Sequence, residues 1–256
     1  MKSDQEALIN LFALTLRGGR GSMARPVRQQ PQQWLRLYDI EVSPYCRLVR
    51  EVLTELDLDV MILPCPTGGM RFRPEAERIG GKQQFPLLVD DNTGTTLYES
   101  AAIIEYLGKT YSRRVRGTRG LARTLAVATS MLASATQWRV GGLKGLKAQP
   151  SLAPAQALDL YSFEGSPYSK IVRARLCELE LPYRLHNTGK ATLTDIGPPA
   201  FRDKLFKGPK GTSRNRRWLE THTGRVQLPY LVDPNTGTAL YESAKIVAYL
   251  NRTYTR

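Results

Sequence analysis

Apolar positions between residues 35 and 107 change their spacing several times, and each change marks a different element. Leu35, Leu37 and Ile40 predict a short strand, and residues 60–63 predict a second one. Between them lies a predicted helix, because apolar residues recur at i, i+3, i+4 and i+7: Val49, Val52, Leu53 and Leu56. An Asp-Asn-Thr-Gly turn at residues 91–94 then predicts a β-hairpin, and a last helix begins at Ser100.

The chain repeats this pattern. Residues 35–58 align with residues 158–181 at an offset of 123, with 13 of 24 positions identical. Residues 82–111 align with residues 225–254 at an offset of 143, with 19 of 30 positions identical. The offsets differ by 20 residues, so the second copy contains an insertion of that length. We therefore predict an α/β protein of two tandem domains, each in the order β-α-β-β-β-α.

The repeat also predicts the domain boundaries. Residues 1–33 form an N-terminal leader, residues 34–111 the first domain, residues 112–156 a basic linker with one helix, and residues 157–256 the second domain. The leader contains one apolar run, residues 7–16, which is interpreted as a short amphipathic helix or a disordered leader. Met23 is an alternative start. The linker helix is predicted over residues 121–138.

Charge is concentrated in two segments. The chain has a net charge of +14, from 37 basic and 23 acidic residues. Residues 112–155 contain eight basic and no acidic residues, and residues 201–225 contain eight basic and two acidic residues. We interpret both segments as solvated basic connections, with an anion-binding or membrane-surface patch as the alternative.

Cysteine content and hydropathy exclude several classes. Cys46, Cys65 and Cys177 show no Cys-x-x-Cys spacing, so neither a disulfide framework nor a zinc site is expected, and no metal site is predicted. Three sparse thiols favour a reducing, cytoplasmic location. The uncharged stretch at residues 124–138 has 15 residues, fewer than the roughly 20 that cross a bilayer, so no membrane span is predicted.

Three motifs recur in the same order in both copies. Ser-Pro-Tyr follows the first strand, a proline opens the third strand, and Glu-Ser starts the last helix. In this order they resemble the thioredoxin fold, and most closely its glutathione-binding branch: the glutaredoxins and the N-terminal domain of glutathione S-transferases. The resemblance covers about two thirds of the chain. It implies two tandem thioredoxin-like domains with glutathione as ligand, without the all-helical C-terminal domain of the transferases, for which the linker has no room.

The resemblance also implies a role for each motif. The catalytic turn of the first copy contains Ser43 and Cys46, with Tyr45 as a glutathione contact and Ser166 as the equivalent in the second copy. The backbone before a cis proline pairs with the extended peptide. The glutamates accept the ligand's ammonium group, and the serines donate to its α-carboxylate. The implied glutathione contacts at these last two motifs are Phe85, Pro86, Glu99 and Ser100, and in the second copy Leu228, Pro229, Glu242 and Ser243.

Two departures from the family pattern shape the expected function. Ser43 replaces the attacking cysteine of glutaredoxins, and Cys46 occupies the resolving position, so dithiol exchange is not expected. A serine instead resembles the serine-type transferases, where the hydroxyl stabilises the glutathione thiolate. We predict a glutathione-dependent transferase or thiol reductase that acts on an electrophilic or disulfide small molecule or protein. A non-catalytic glutathione-binding or protein-interaction module is the alternative.

A nucleic acid partner is not expected. Proteins that bind single strands interleave aromatic side chains with basic ones on one surface. The basic segments of this sequence show no such interleaving.

Overall fold

The computed structural model describes residues 7, 8, 10, 11, 15, 17–25, 30–112, 124–133, 144–192, 195 and 213–256. The first copy consists of β1 (Leu35–Asp39), α1 (Pro44–Glu55), β2 (Val60–Pro64), α2 (Arg73–Gly80), β3 (Leu87–Asp90), β4 (Thr95–Tyr98) and α3 (Ser100–Tyr111). The second copy consists of β5 (Leu158–Ser162), α4 (Pro167–Glu178), β6 (Tyr183–Asn187), α5 (Arg214–Thr223), β7 (Tyr230–Asp233), β8 (Thr238–Tyr241) and α6 (Ser243–Tyr254). Both are thioredoxin-like domains.

Each copy contains one more helix than the predicted order β-α-β-β-β-α, and this helix lies between its second and third strands. Helix α2 buries only Ala76, and α5 buries two polar residues beside Leu219, so neither shows an apolar stripe. Each ends at a glycine with positive φ, Gly81 and Gly224, which is a common helix stop. The interpretation of residues 201–225 as a basic connection is therefore wrong for residues 214–223, which form α5. Residues 201–212 lie outside the described residues.

The two copies share one sheet. Its strand order is β4-β3-β1-β2-β6-β5-β7-β8, with β2 and β6 antiparallel at the centre. At this junction Met61 lies opposite Arg184, and these positions are equivalent at the repeat offset of 123. A pseudo-two-fold axis therefore passes through this pair, as in an isologous dimer built edge to edge.

Apolar side chains fill both faces of this sheet. On one face, buried residues of α1, α3, α4 and α6 join those of the strands in a single core that spans both copies. On the other face, α2 and α5 each cover a smaller cluster within their own copy, around Tyr38 and Tyr161 respectively. The central β2–β6 junction and the shared core hold the two domains together as one body.

Two further segments tie the copies together, and we call them the first strap (residues 17–25) and the second strap (residues 144–150). In the first strap, the Ala24 amide donates to the Lys190 carbonyl at 2.7 Å, in the second copy. In the second strap, the Ala148 amide donates to the Thr67 carbonyl at 3.0 Å, in the first copy. The first strap precedes the first copy but bonds to the second, and the second strap precedes the second copy but bonds to the first. Each of these contacts resembles the pairing of a short strand.

Each strap also crosses the helix of its own copy. The Arg25 amide donates to the Glu55 carbonyl at the end of α1, and the Gln149 amide donates to the Glu178 carbonyl at the end of α4, both at 2.7 Å. The two hydrogen bonds occupy equivalent positions in the two copies. Each strap therefore contacts the helix of its own copy and a loop of the other copy.

Helical backbone precedes both straps. The described leader residues 7, 8, 10, 11 and 15 are helical, which agrees with a helix in the leader. Residues 124–133 are helical within the predicted range 121–138, and the remainder of that range lies outside the described residues. None of the helices in the described part of the chain has the length and apolar character that crossing a bilayer requires.

Candidate functional site

The turn after β1 begins the candidate site of the first copy. Ser43 is the N-cap of α1 in extended conformation, and its hydroxyl oxygen accepts a hydrogen bond from the Cys46 amide at 3.4 Å. Pro44 occupies the first helical turn, where no backbone donor is needed. The Tyr45 side chain is exposed, and Ser43 is half-buried. The turn thus holds a positioned hydroxyl at the positive end of a helix.

Cys46 lies beneath this turn and is inaccessible to solvent. Its sulfur accepts a hydrogen bond from the Ile40 amide at 3.5 Å. Burial, with a further contribution from the Asp39 carboxylate, raises the pKa of the Cys46 thiol well above its usual range. Cys65 and Cys177 are also buried, and burial raises the pKa of each. The three thiols are therefore protonated and shielded in the folded protein, which is the opposite of what a nucleophilic cysteine needs.

The proline motif lies immediately before β3 and β7. The peptide bonds Phe85–Pro86 and Leu228–Pro229 are both cis, which confirms the geometry expected from the sequence. Phe85 and Leu228 are half-buried beside them. In the first copy the Arg73 guanidinium lies over the Phe85 ring, 4.9 Å from its centroid.

The Glu-Ser motif shows an unusual backbone in both copies. Glu99 and Glu242 precede the last helices with φ of 67° and 70°, a region that non-glycine residues rarely adopt. Both glutamate side chains reach solvent, whereas Ser100 and Ser243 are buried as the first residues of α3 and α6. Strained backbone of this kind concentrates at functional sites.

Strand register brings the three motifs of the first copy together. Tyr38 of β1 pairs with Leu87 of β3, and Leu87 pairs with Tyr98 of β4. The Ser43 turn, the Phe85–Pro86 bond and the Glu99–Ser100 pair therefore leave the sheet at the same end. The second copy shows the same alignment through Tyr161, Tyr230 and Tyr241.

The turn of the second copy is more enclosed. Ser166 caps α4 and is 4% exposed. Its hydroxyl oxygen accepts hydrogen bonds from the Ser169 amide at 3.2 Å and from the Ser169 hydroxyl at 2.7 Å. In addition, the Asn10 side chain of the leader donates to the Pro167 carbonyl at 3.0 Å. Intramolecular contacts thus occupy the Ser166 hydroxyl.

The linker reaches the turn of the first copy in the equivalent way. The Ser130 hydroxyl donates to the Pro44 carbonyl at 2.8 Å. The reasoning from sequence missed both Ser130 and Asn10 as neighbours of the candidate sites. A signal was present, since G-x-x-G-x-x-A-x-P occurs at residues 18–26 and again at residues 142–150. That repetition marks leader and linker as equivalent segments.

Metal ions have no evident place in this arrangement. Within the described residues, no group of three or more His, Cys, Asp or Glu side chains could hold one. The chemistry available at the turn is therefore that of a serine hydroxyl, backbone amides and a helix N-terminus.

Two thioredoxin-like domains, each with a capping serine on the first helix and a cis proline before the third strand, define the structural class of this protein. The family profile described as glutathione S-transferase, N-terminal domain, matches residues 37–115 and 160–256. Because these two segments cover more than half of the chain, the protein belongs to this family.

Solved glutathione transferases share limited similarity with the chain. A Bombyx mori glutathione transferase is 26% identical over 44% of this chain and 50% of its own, with a TM-score of 0.32. A trimeric Leishmania glutathione transferase is 14% identical over 88% of this chain and 68% of its own, with a TM-score of 0.29. The chain thus spans about half the length of the Bombyx mori transferase. A comparison with curated proteins returned no match.

Proposed function

We propose that the first copy binds glutathione and that the protein is a serine-type glutathione-dependent transferase. The observation that carries this proposal is the register of β1, β3 and β4, which gathers three motifs at one end of the sheet. In the proposed complex, Glu99 accepts the γ-glutamyl ammonium group, and Ser100 with the α3 N-terminus donates to the α-carboxylate. The backbone of Phe85 pairs with the peptide, and Tyr45 contacts the ligand from the exposed side of the turn.

Ser43 is the residue that we place at the glutathione sulfur. Its half-buried hydroxyl caps α1, where backbone amides and the helix dipole favour a thiolate. The sulfur then forms a bond to an electrophilic carbon, the leaving group departs with its electron pair, and the thiol proton passes to solvent. A reductase that attacks through Cys46 is less favoured, because that thiol is buried and protonated.

The second copy is proposed as the weaker glutathione site. Its equivalent contacts would be Ser166, the Leu228–Pro229 backbone and the Glu242–Ser243 pair. The Ser166 hydroxyl is engaged by Ser169, and Asn10 covers the turn. We also propose a cytoplasmic location, since all three cysteines are free thiols in a fold that needs no disulfide.

Titration of the full chain with glutathione, followed by turnover of a chromogenic electrophile, tests this proposal. Ser43→Ala is expected to lower turnover about 10- to 100-fold, because one hydrogen bond to a charged sulfur contributes roughly 1.5–3 kcal/mol. Cys46→Ser is expected to leave turnover nearly unchanged. Ser166→Ala is the matched control in the second copy. Circular dichroism checks folding, since the lost cap costs about 1 kcal/mol.

Three outcomes separate the alternatives. Absence of glutathione binding by the full chain overturns the proposal. Binding without turnover of either an electrophile or a glutathione mixed disulfide identifies a non-catalytic module. Loss of activity in Cys46→Ser with full activity in Ser43→Ala identifies a monothiol reductase and reverses the two roles.

A further inference from the structure

The helix at residues 124–133 of the linker presents an apolar side to solvent. Ala126 and Val127 pack against the shared core, and Ser130 and Ala133 on the same side of the helix are fully buried. The other side of the helix is exposed, and its apolar side chains recur at a spacing of three to four residues. We call this set the outer stripe, and it consists of Leu125, Ala128, Met131 and Leu132.

The outer stripe exposes more apolar surface than isolated surface residues do. Leu125 and Leu132 are each 58% exposed, and Met131 is 44% exposed. Single exposed apolar residues are normal, whereas adjacent ones mark a surface that binds a partner. Residues 124–138 contain no charged side chain, so the exposed side of the helix is not a solvated charged face.

The leader adds to the same surface. Its helical residues Leu8 and Leu11 are 66% and 47% exposed. Arg17, which follows these residues, donates to the Ala126 carbonyl of the linker helix at 2.8 Å. The two helical segments are therefore neighbours. They also bond to the starts of α4 and α1, so both lie on the face of the sheet that these helices cover.

Positive charge adjoins the linker helix in sequence. The twelve residues before it, 112–123, include five arginines and no acidic residue. An apolar helix face beside a run of cations is typical of helices that lie in the interface of an anionic bilayer. A second copy of the chain is a poorer partner for this surface, because it would bring together two cationic segments and two net charges of +14.

We propose that this surface docks onto an anionic phospholipid bilayer, with the outer stripe, Leu8 and Leu11 inserted among the lipid headgroups. The linker helix then lies in the plane of the membrane surface and does not cross the bilayer. Insertion removes apolar side chains from water, and the anionic headgroups attract the arginine-rich segment. The opposite face of the sheet, which α2 and α5 cover, is directed toward water.

Co-sedimentation of the full chain with lipid vesicles tests this proposal. Vesicles of equal parts phosphatidylserine and phosphatidylcholine are compared with vesicles of phosphatidylcholine alone. We expect saturable binding to the mixed vesicles and binding to the neutral vesicles that is weaker by about tenfold or more, because each cation near an anionic surface contributes about fivefold. Added salt should weaken binding to the mixed vesicles, since it screens this attraction.

The double variant Leu125→Ser with Leu132→Ser tests the outer stripe. Both side chains are exposed, so their loss leaves the core intact. Binding to the mixed vesicles is expected to weaken about tenfold or more, because two leucines no longer insert. Leu8→Ser with Leu11→Ser tests the leader in the same way, and circular dichroism checks the folding of each variant.

Met70→Ser with Leu152→Ser is the matched control. These two side chains are 77% and 44% exposed and lie outside the leader and linker helices. The Met70 amide donates to the Glu180 carboxylate, beyond the end of α4 rather than at its start. This double variant should therefore bind the mixed vesicles as the wild type does.

Three outcomes overturn the proposal. The first is that the chain binds neither kind of vesicle, or binds both equally. The second is that both leucine variants bind the mixed vesicles as tightly as the control, because net charge alone would then explain the attraction. The third is a dimer in sedimentation equilibrium without lipid that the leucine variants dissociate, which would make this surface an interface between two copies. No measurement here uses glutathione, so failure leaves the proposed function intact.

Discussion

Replacing Glu164 by glutamine should test how strongly the buried ion-pair cluster at the junction of the two copies stabilises the protein. Glu164 of the second copy contacts Arg50 of the first, and Glu41 of the first copy contacts Arg173 of the second at 3.1 Å. Glu41 and Glu164 are equivalent positions, as are Arg50 and Arg173. All four side chains are at most 5% exposed. The interaction therefore crosses the pseudo-two-fold axis twice, in a buried environment.

The expected loss of unfolding free energy follows from the environment of the Glu164 carboxylate. Burial alone would raise the pKa of Glu164, but Arg173 and Arg50 outweigh it and lower that pKa to about 2, from an ordinary value of 4.5. A difference of this size corresponds to about 3 kcal/mol of stability at neutral pH. Removing one partner of a buried ion pair typically costs 3–5 kcal/mol, so about 3 kcal/mol agrees with both arguments.

The sign of the pH dependence gives a second readout. A lowered pKa stabilises the folded protein above the unfolded pKa, and this stabilisation is lost as pH falls from about 4.5 to about 2. The glutamine of the Glu164→Gln variant cannot titrate. The difference in unfolding free energy between wild type and variant should therefore be about 3 kcal/mol at pH 7 and shrink toward zero at pH 2. Urea unfolding at pH 7, 4 and 3 measures it.

An exposed ion pair provides the control. Glu105 and Lys109 on α3 form a solvent-accessible i, i+4 pair at 2.7 Å, and such pairs contribute only about 0.3–0.5 kcal/mol. Glu105→Gln should therefore change the free energy of unfolding by less than 1 kcal/mol. A loss below 1 kcal/mol for Glu164→Gln at pH 7, or a loss that does not shrink with acid, would refute the reasoning.

Three other predictions concern separate parts of the molecule. Burial opposes a charge on His186, but hydrogen bonds to Asp159 and Asp59 raise its pKa above the ordinary value of 6.5. Stability should therefore fall as pH rises through the raised pKa, and His186→Gln should flatten this change in unfolding free energy. Asp90→Asn should cost about 2 kcal/mol in urea unfolding at pH 7, because the carboxylate accepts charge-assisted hydrogen bonds from the last helix and its own turn; no loss would contradict this. Limited proteolysis followed by mass spectrometry should cleave first within residues 112–156, the proposed linker, and early cleavage inside residues 34–111 would contradict the boundary.

Local chemistry accounts for what the sequence analysis predicted correctly. Ser43 and Ser166 cap their helices, because a serine before proline satisfies an orphan amide within three residues. The hairpins follow from short turn motifs as well, whereas the two cis prolines were expected from the resemblance to the family. These features depend on neighbours in sequence, so a single chain contains the information for them.

Pairings between distant segments could not be obtained in this way. The contact of β2 with β6 joins residues more than 120 positions apart, and nothing in the composition of either strand states that its outer edge is covered. The side chains of Arg50 and Arg173 look like a solvated helix face in the sequence, yet both are fully buried. Each also pairs with a buried carboxylate of the other copy, Arg50 with Glu164 and Arg173 with Glu41.

A stack of aromatic rings in the second copy also joins residues that are distant in sequence. His222, Trp218, Tyr161 and His186 stack in that order, with centroids 4.4, 4.7 and 4.4 Å apart. They come from α5, β5 and β6, so no interleaving is visible along the chain. The sequence shows no interleaving of aromatic and basic residues, yet the fold stacks four rings from separate elements.

The tandem arrangement also allows the two similar copies to differ at equivalent positions. In a homodimer every change occurs on both sides of the axis, whereas in one chain each side can change alone. Glu51, which engages Arg17, has Ala174 as its equivalent at the repeat offset, and Cys46 has Ser169. The Arg17–Glu51 ion pair therefore has no counterpart at Ala174 in the second copy. The first copy keeps the more accessible serine turn, which is the reason for proposing it as the stronger glutathione site.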